Sequence, residues 1–363
     1  MSFRKIFSAE VIKRKTSSLL RRLRGGIPRL PPMPEEIEIE TTTACNINPP
    51  CVMCSRNWVT APPVAFMPQE LIEKLKPLFP RIKSASLHGI GEPLMQEKLF
   101  PLIGQFPPDA KVHFTSNGIL LDRTKILELI KHRLAHLNIS LDAANPLTYK
   151  KIRRNDCFLV IKNNLQLLSA VKKELGVNDP QLWINMTLMN ENLAEVADFV
   201  RLAKEIGAAV VELHLINRIP VQYRIASGSF HFDYAAQLID VKSSRFRENL
   251  IAAKALADQL SIHIYSSSYE ILNVIRPKTQ PDYGRKKHRG KYFCLKPWRH
   301  VLVYLNGDVW ICCHMRGENC VMGNLHGSDF NTIWNNDKIT SIRKDIANGI
   351  MPSACCGCPV FEK

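Results

Sequence analysis

An α/β fold built on six parallel strands, arranged as a barrel or an open sheet, is what this sequence predicts, with a short cysteine-rich appendage at its C-terminal end. Two observations carry that expectation. Strand-like and helix-like periodicities alternate from residue 36 to residue 216, and such alternation calls for parallel pairing through right-handed crossovers. From residue 290 the chain changes character: cysteines crowd in, Gly and Asn punctuate, and the elements shorten.

The strand candidates are EIEIETTT (36–43), SASLHGI (84–90), KVHFTSN (111–117), AHLNISL (135–141), LWINMTLM (182–189) and AVVELHLI (209–216). Helices are expected between them at 68–79, 96–106, 122–133, 158–175 and 192–206. The last has apolar residues at helical spacing (Leu193, Val196, Phe199, Val200, Ala203) and Gly207 as its C-cap. Residues 233–264 read as one more helix and strand. In the tail, HVLVYL and DVWICC flank Asn306-Gly307, a two-residue hairpin signal. The expected domains are a basic N-terminal segment with a Pro-rich linker (1–35), the strand–helix repeat (36–230), a connecting helix and strand (231–289) and the cysteine-rich domain (290–363).

Hydrophobic residues make up 45% of the 363-residue chain, enough for a sizeable core, so whole-chain disorder is excluded. No apolar run is long enough for a membrane-spanning helix. The net charge of +16 is localised: residues 1–30 hold nine Lys/Arg against Glu10, and a second knot runs from Arg285 to Lys291. Residues 1–24 read as a basic amphipathic helix, either solvated or laid on an anionic membrane surface. The knot reads as a solvated loop or a phosphate clamp. The start shows no secretory h-region, which points to a reducing, cytoplasmic compartment where cysteine clusters bind metal more often than they pair. The chain has 11 cysteines.

Three of them, Cys45, Cys51 and Cys54, follow the first strand as Cys-x5-Cys-x2-Cys. A structural zinc site calls for a fourth ligand, whereas an iron–sulfur cube on three thiolates leaves one iron open to a ligand. Active sites of α/β barrels also gather at the C-terminal ends of strands. With these cysteines the chain resembles the radical S-adenosylmethionine (SAM) enzymes, whose usual spacing is Cys-x3-Cys-x2-Cys; here Asn48-Pro49-Pro50 lengthens the first gap. The next strand ends agree. His88-Gly89-Ile90-Gly91-Glu92-Pro93 is similar to the family's Gly-Gly-Glu-Pro segment, whose backbone receives the methionine amino group of SAM. Glycines let a main chain approach a ligand, and Glu92 can offset an ammonium. Ser116-Asn117 after strand three and Ser140 and Asp142 after strand four resemble the rims that hold the ribose and carboxylate of SAM. Arg153 or Arg154 resembles the arginine often found after strand four. The resemblance covers roughly 36–216 and implies a partial (β/α)6 TIM-like barrel.

The tail contains Cys294-x12-Gly307-x4-Cys312 and then Cys355-x2-Cys358. It resembles the family's SPASM or twitch extensions, together with Pro297-Trp298, Gly323-Asn324-Leu325 and Ile333-Trp334-Asn335. The resemblance implies one auxiliary 4Fe–4S cluster on Cys294, Cys312, Cys355 and Cys358, with Cys313 and Cys356 as rivals and Cys320 as a substitute. A four-cysteine zinc ribbon is the competing reading. Cys157 reads as a buried apolar thiol.

The implied activity is reductive cleavage of SAM to a 5′-deoxyadenosyl radical, fed by a one-electron reductant such as a flavodoxin or ferredoxin. Hydrogen is then taken from a small molecule, a glycan or lipid precursor, or a peptide, and the auxiliary cluster accepts an electron. RNA or protein modification is the alternative within the family. A zinc-dependent nucleic-acid binder is the alternative outside it, although aromatic residues are not interleaved with the basic runs.

Overall fold

The computed structural model describes residues 33–57, 63–216, 232–275, 287–288, 291–292, 294–312, 315, 320–355 and 358. The chain divides into two compact units, one of Ile37–Pro281 and one of Met1–Glu36 with Asp282–Lys363. The expected helix at 1–24, the cysteines Cys313 and Cys356, and the last part of the expected 36–230 domain lie outside the described residues. So does the basic knot, apart from the four backbone positions of a short antiparallel ladder, β8 (Lys287–His288) with β9 (Lys291–Tyr292).

In the larger unit, β1 (Glu36–Glu40), β2 (Ser84–His88), β3 (Lys111–Ser116), β4 (His136–Ser140), β5 (Gln181–Leu188), β6 (Val210–Leu215) and β7 (His263–Tyr265) lie side by side in chain order. Every pair from β2 to β7 is parallel. Connections run through α1 (Gln69–Leu75), α2 (Leu99–Ile103), α3 (Arg123–Lys131), α4 (Pro146–Arg153), α5 (Phe158–Leu175), α6 (Val196–Glu205), α7 (Tyr234–Gln237) and α8 (Ser244–Leu260); α9 (Tyr269–Ile275) follows β7. The fold is therefore α/β, and the helix and strand read at 233–264 join the same sheet as its seventh strand.

The helices begin where side chains satisfy their first N–H groups. Asp122 accepts from Lys125 N in α3, and Ser243 accepts from Phe246 N in α8. Helix α4 had no place among the expected helices, yet its signal is present: Asn145 accepts from Leu147 N and Thr148 N, and Pro146 occupies the first turn, where its missing N–H costs nothing. Alternation along the strands sends Leu87, Phe114, Ile139, Ile184 and Leu213 to one face, all fully buried.

The opposite, inner face is polar and aromatic. His113 stacks on His136 at 4.2 Å between ring centroids, and His136 stacks on Trp183 at 4.5 Å, each ring on a successive strand. Burial disfavours the imidazolium, so His113 is pushed down and His136 falls to about 3.

In the smaller unit, α10 (Lys296–Arg299) leads into β10 (His300–Val303), β11 (Asp308–Trp310) and β12 (Gly323–Asn324), an antiparallel set. The hairpin turn is longer than the two-residue form. Tyr304 N donates to Asp308 O, which leaves three loop residues, and Gly307 closes them at φ +82°. Helices α11 (Phe330–Trp334) and α12 (Asp337–Ala347) cover this set with Ile333, Trp334, Ile339 and Ile346 buried. Arg343, 1% exposed, donates to Pro297 O at 2.8 Å and Trp334 O at 2.7 Å and lies over the Trp334 ring. Among the described residues no helix is long and apolar enough to cross a membrane.

The neutral histidine stack has a measurable consequence. A free histidine takes a proton near pH 6.5, whereas folded His136 refuses one until about 3. Its contribution is therefore complete above about pH 6.5 and is lost progressively as the pH falls toward 3. Urea unfolding of the wild type and His136→Gln should show that the variant lacks about 2 kcal/mol of the wild type's loss between pH 7 and 5. Identical pH slopes would refute the assignment.

Candidate functional site

The first strand ends in three threonines, and their side chains fix the start of the loop that follows. Thr42 Oγ1 accepts from Ala44 N and donates to Ala65 O, and Thr43 Oγ1 donates to Pro63 O at 2.7 Å. Cys45, Cys51 and Cys54 come next. Their chain is folded back on itself by Cys54 N to Cys51 O, by Asn57 Nδ2 to Cys51 O at 2.7 Å and by Arg56 Nη1 to Ile47 O at 3.1 Å. The lengthened gap is anchored on the end of α4. Val52 N donates to Ile152 O at 2.9 Å, and Arg154 donates to Pro50 O at 3.3 Å.

Burial pushes the thiols of Cys45 and Cys54 up, and the neighbouring Cys51 adds to the rise in each. The three sulfurs thus feel one another. Among the described residues, no three Cys, His, Asp or Glu side chains are gathered as ligands of a metal ion. Three thiols on one loop, with cationic and amide donors around them, are a donor set that suits an iron–sulfur cluster. Asn117 Nδ2 lies 3.9 Å from Cys45 Sγ, and Arg153 Nη1 lies 3.5 Å from Cys51 Sγ.

The segment after β2 leans on this loop through its backbone. Gly91 N donates to Thr42 O and Glu92 N to Ala44 O. A Cβ at Gly91 would stand 2.3 Å from Ala44 O and 2.5 Å from Thr42 O, so only glycine fits. With those N–H groups spent, the segment's carbonyl oxygens are what it can offer an ammonium. Pro93 starts a 3-10 turn capped by Glu92. Glu92, expected to offset an ammonium, is enclosed in this structure. It is 2% exposed and accepts from Asn117 N at 2.7 Å, Ser116 Oγ at 2.8 Å and Leu94 N at 3.1 Å. Burial pushes its carboxyl up, against the pull of those donors. It ties the β2 loop to the β3 loop, because a carboxylate inside the protein needs every donor within reach.

Asp142 differs from expectation in the same way. Its side chain is fully buried, with Oδ1 accepting from Thr187 N and Oδ2 in an ion pair with Arg153 Nη2 at 2.6 Å. Burial works against the Arg153 charge, but Asp142 and then Cys51 raise it above its ordinary value, so it stays protonated. Ser140 ends β4 half-buried on the inner face, and Ser116 and Asn117 are buried beside Glu92. Asp142 and Arg153, both expected at the SAM rim, are paired with each other there. Sequence reading missed Asn192, whose amide donates to Asp142 O and Thr187 O and whose only signal was its position just past β5. It also missed Asn46, which accepts from Asn117 Nδ2 at 2.7 Å.

In the smaller unit, burial pushes Cys355 up to about 12, with Cys294, Cys358 and Cys320 all adding to the rise. Cys294 is pushed up by burial too, and again Cys358 contributes. Cys320, a reserve in the sequence reading, thus stands in the group with Cys294, Cys355 and Cys358, while Cys312 follows β11 in the segment leading to it. Cys157 is half-buried rather than enclosed and precedes α5.

Comparison with known proteins follows the same division. The model of the radical SAM superfamily matches residues 39–203, and that of the SPASM iron-sulfur cluster-binding domain matches residues 294–359. A probable GTP 3′,8-cyclase of Methanocaldococcus jannaschii is 28% identical over 51% of this chain and 59% of its own. One of Methanosarcina mazei is 32% identical over 49% of this chain and 53% of its own. The chain thus spans little more than half the length of the curated relatives it matches. Among solved structures, Streptococcus suis SuiB bound to SAM aligns over 96% of this chain and 75% of its own, with a TM-score of 0.62 and 14% identity. The anSMEcpe enzyme with bound SAM and the Cp18Cys peptide aligns over 90% and 87%, with a TM-score of 0.60 and 16% identity. A partial TIM-like barrel with a cysteine-rich C-terminal domain, a 4Fe–4S cluster with SAM and an auxiliary iron–sulfur cluster follow from these matches, and the chain carries a radical SAM domain at 39–203 and a SPASM domain at 294–359.

Proposed function

We propose that this chain takes hydrogen from an organic substrate and oxidises it, using Cys45, Cys51 and Cys54 to hold the SAM-binding cluster. The observation that carries the reading is Arg153, which joins a cluster thiol to the rim of the barrel through Asp142. Held by these thiols, a reduced 4Fe–4S cluster with SAM supplies a 5′-deoxyadenosyl radical.

The chain's own residues bind and orient. The glycine segment at 89–91 brings main-chain carbonyls to the ammonium end of SAM, which its tight approach to Thr42 and Ala44 supports. Glu92 holds the β2 and β3 loops in register so that Asn117 stays beside Cys45. The Arg153 guanidinium donates to the Cys51 sulfur, and such hydrogen bonds and charges raise a cluster's reduction potential. In the smaller unit, we assign Cys294, Cys355 and Cys358 to the auxiliary cluster with Cys320 or Cys312 as the fourth thiolate. A cluster held by these thiolates would supply a one-electron acceptor for oxidation of the substrate. A flavodoxin or ferredoxin is the class of reductant this chemistry calls for. The domain bounds of the sequence reading, 36–230 and 290–363, stand in this proposal as the barrel and the cluster domain.

Three outcomes test the proposal. Protein reconstituted without air should hold about eight irons and release 5′-deoxyadenosine with dithionite; stoichiometric zinc without iron would sink it. Gly91→Ala should bind SAM about tenfold more weakly, because the new methyl forces the segment off Thr42 and Ala44 by a cost on the order of 1.4 kcal/mol; unchanged SAM affinity in titration calorimetry would count against the cradle. Arg153→Gln should keep its iron, cleave SAM about tenfold more slowly and shift the cluster's midpoint potential in a more negative direction, read by redox titration with electron paramagnetic resonance; an unmoved potential would reduce Arg153 to packing.

A further inference from the structure

Two donors on helix α4 have nothing to donate to. Tyr149 is fully buried, and its hydroxyl has no hydrogen-bond partner among the described residues. Arg153 lies one turn further along the same helix face. It gives Nη1 to Cys51 Sγ at 3.5 Å and Nη2 to Asp142, yet its Nε is likewise without a partner among the described residues. Cys51 acts on the charge of both side chains, so the phenol, the guanidinium and the thiol form one group.

The surroundings hold that group in place. Val52 N donates to Ile152 O at 2.9 Å, which fastens the thiol loop to the last turn of α4. The Tyr149 ring stands edge-on to Phe158 at 5.7 Å between centroids, so packing fixes it. Asn155, whose side chain adjoins the phenol, spends its amide nitrogen on Arg153 O at 2.9 Å and its oxygen on Cys157 N at 3.0 Å. Burial pushes the phenol up, against the pull of Arg153, so it keeps its proton and remains a donor. A phenylalanine would pack against Phe158 without burying an unsatisfied hydroxyl, which costs free energy. The hydroxyl therefore answers to something other than packing. Both orphaned groups are donors in the company of Cys51, so what meets them is an acceptor, and the sulfurs of an iron–sulfur cluster are acceptors of this kind.

We propose that Tyr149 is a second hydrogen-bond donor to the SAM-binding cluster, giving its phenol O–H to a sulfur at the Cys51 corner beside Arg153. The proposal rests on the radical SAM reading above and adds one residue to it. A donor to sulfur stabilises the more negative, reduced state, so the O–H raises the potential at which the cluster accepts its electron.

Redox titration of the full-length, cluster-reconstituted protein by electron paramagnetic resonance tests this, the SAM-binding cluster being the one whose signal changes when SAM is added. Tyr149→Phe should keep its iron and lower the reduced-to-oxidised ratio of that cluster about tenfold at a given potential, a midpoint about 59 mV more negative. The auxiliary cluster's midpoint should stay where it is. A fluorinated tyrosine at position 149, a stronger donor, should move the midpoint the opposite way, which a packing role would not do. The proposal is overturned if Tyr149→Phe holds iron with the wild-type midpoint, the result expected of a buried water on the hydroxyl, or if both variants shift alike. If Tyr149→Phe takes up no iron, the fluorinated variant, with ring and hydroxyl intact, decides by the direction of its shift. Wild-type protein that shows no signal answering to SAM sinks the radical SAM reading, and the role of Tyr149 with it.

Discussion

A single buried cation organises the rim of this barrel. Arg153 is 8% exposed, and a guanidinium so enclosed is tolerable only beside a committed anion. Asp142 supplies it at 2.6 Å, and the rest of the rim exists to hold Asp142 in place. The aspartate sits at φ +59°, a backbone state that side-chain-bearing residues adopt at a cost. Thr187 N binds its carboxylate and Asn192 binds its carbonyl, so strand five and the turn beyond it support the state. Through Arg153 that support reaches Cys51, which links the thiol loop of the first strand to the fourth and fifth.

Glu92 does for the second and third strands what Asp142 does for the fourth and fifth. Each is a carboxylate withdrawn from solvent, and each spends its lone pairs on neighbouring loops. The arrangement explains how five loops on separate strands can present a ligand surface without a covalent tie. Loops have few hydrogen bonds of their own, and here the anions supply the missing acceptors.

The order of strands and helices was legible because period-2 and period-3.6 runs alternate cleanly from Glu36 to Leu215, and the cysteine and glycine motifs were legible because each follows a strand end. Helix α4 is not legible as a periodic run because its eight residues include three charges; its sequence signal is the Asn145-Pro146 start. The roles of Glu92 and Asp142 could not be read from residue type. Whether a carboxylate faces a ligand or a neighbouring loop depends on burial, which arises only when distant strands meet. For the same reason Asn138, three residues into an apolar-looking run, gave no hint that its amide would span two strands to reach Glu212. The hairpin turn was placed correctly at Asn306-Gly307 but one residue short, because Gly307 serves as the bulge residue of a three-residue loop and not as half of a two-residue one.

The lengthened cysteine spacing has a partner elsewhere in the chain. Pro50, within the added stretch, is held by Arg154, a residue in the left-handed conformation at the end of α4, while Val52 is held by Ile152 two positions earlier. Loop insertion and helix terminus therefore form one coupled unit: shortening the spacing to the common form would remove the carbonyl that Arg154 binds, and replacing the arginine would leave Pro50 O without that donor.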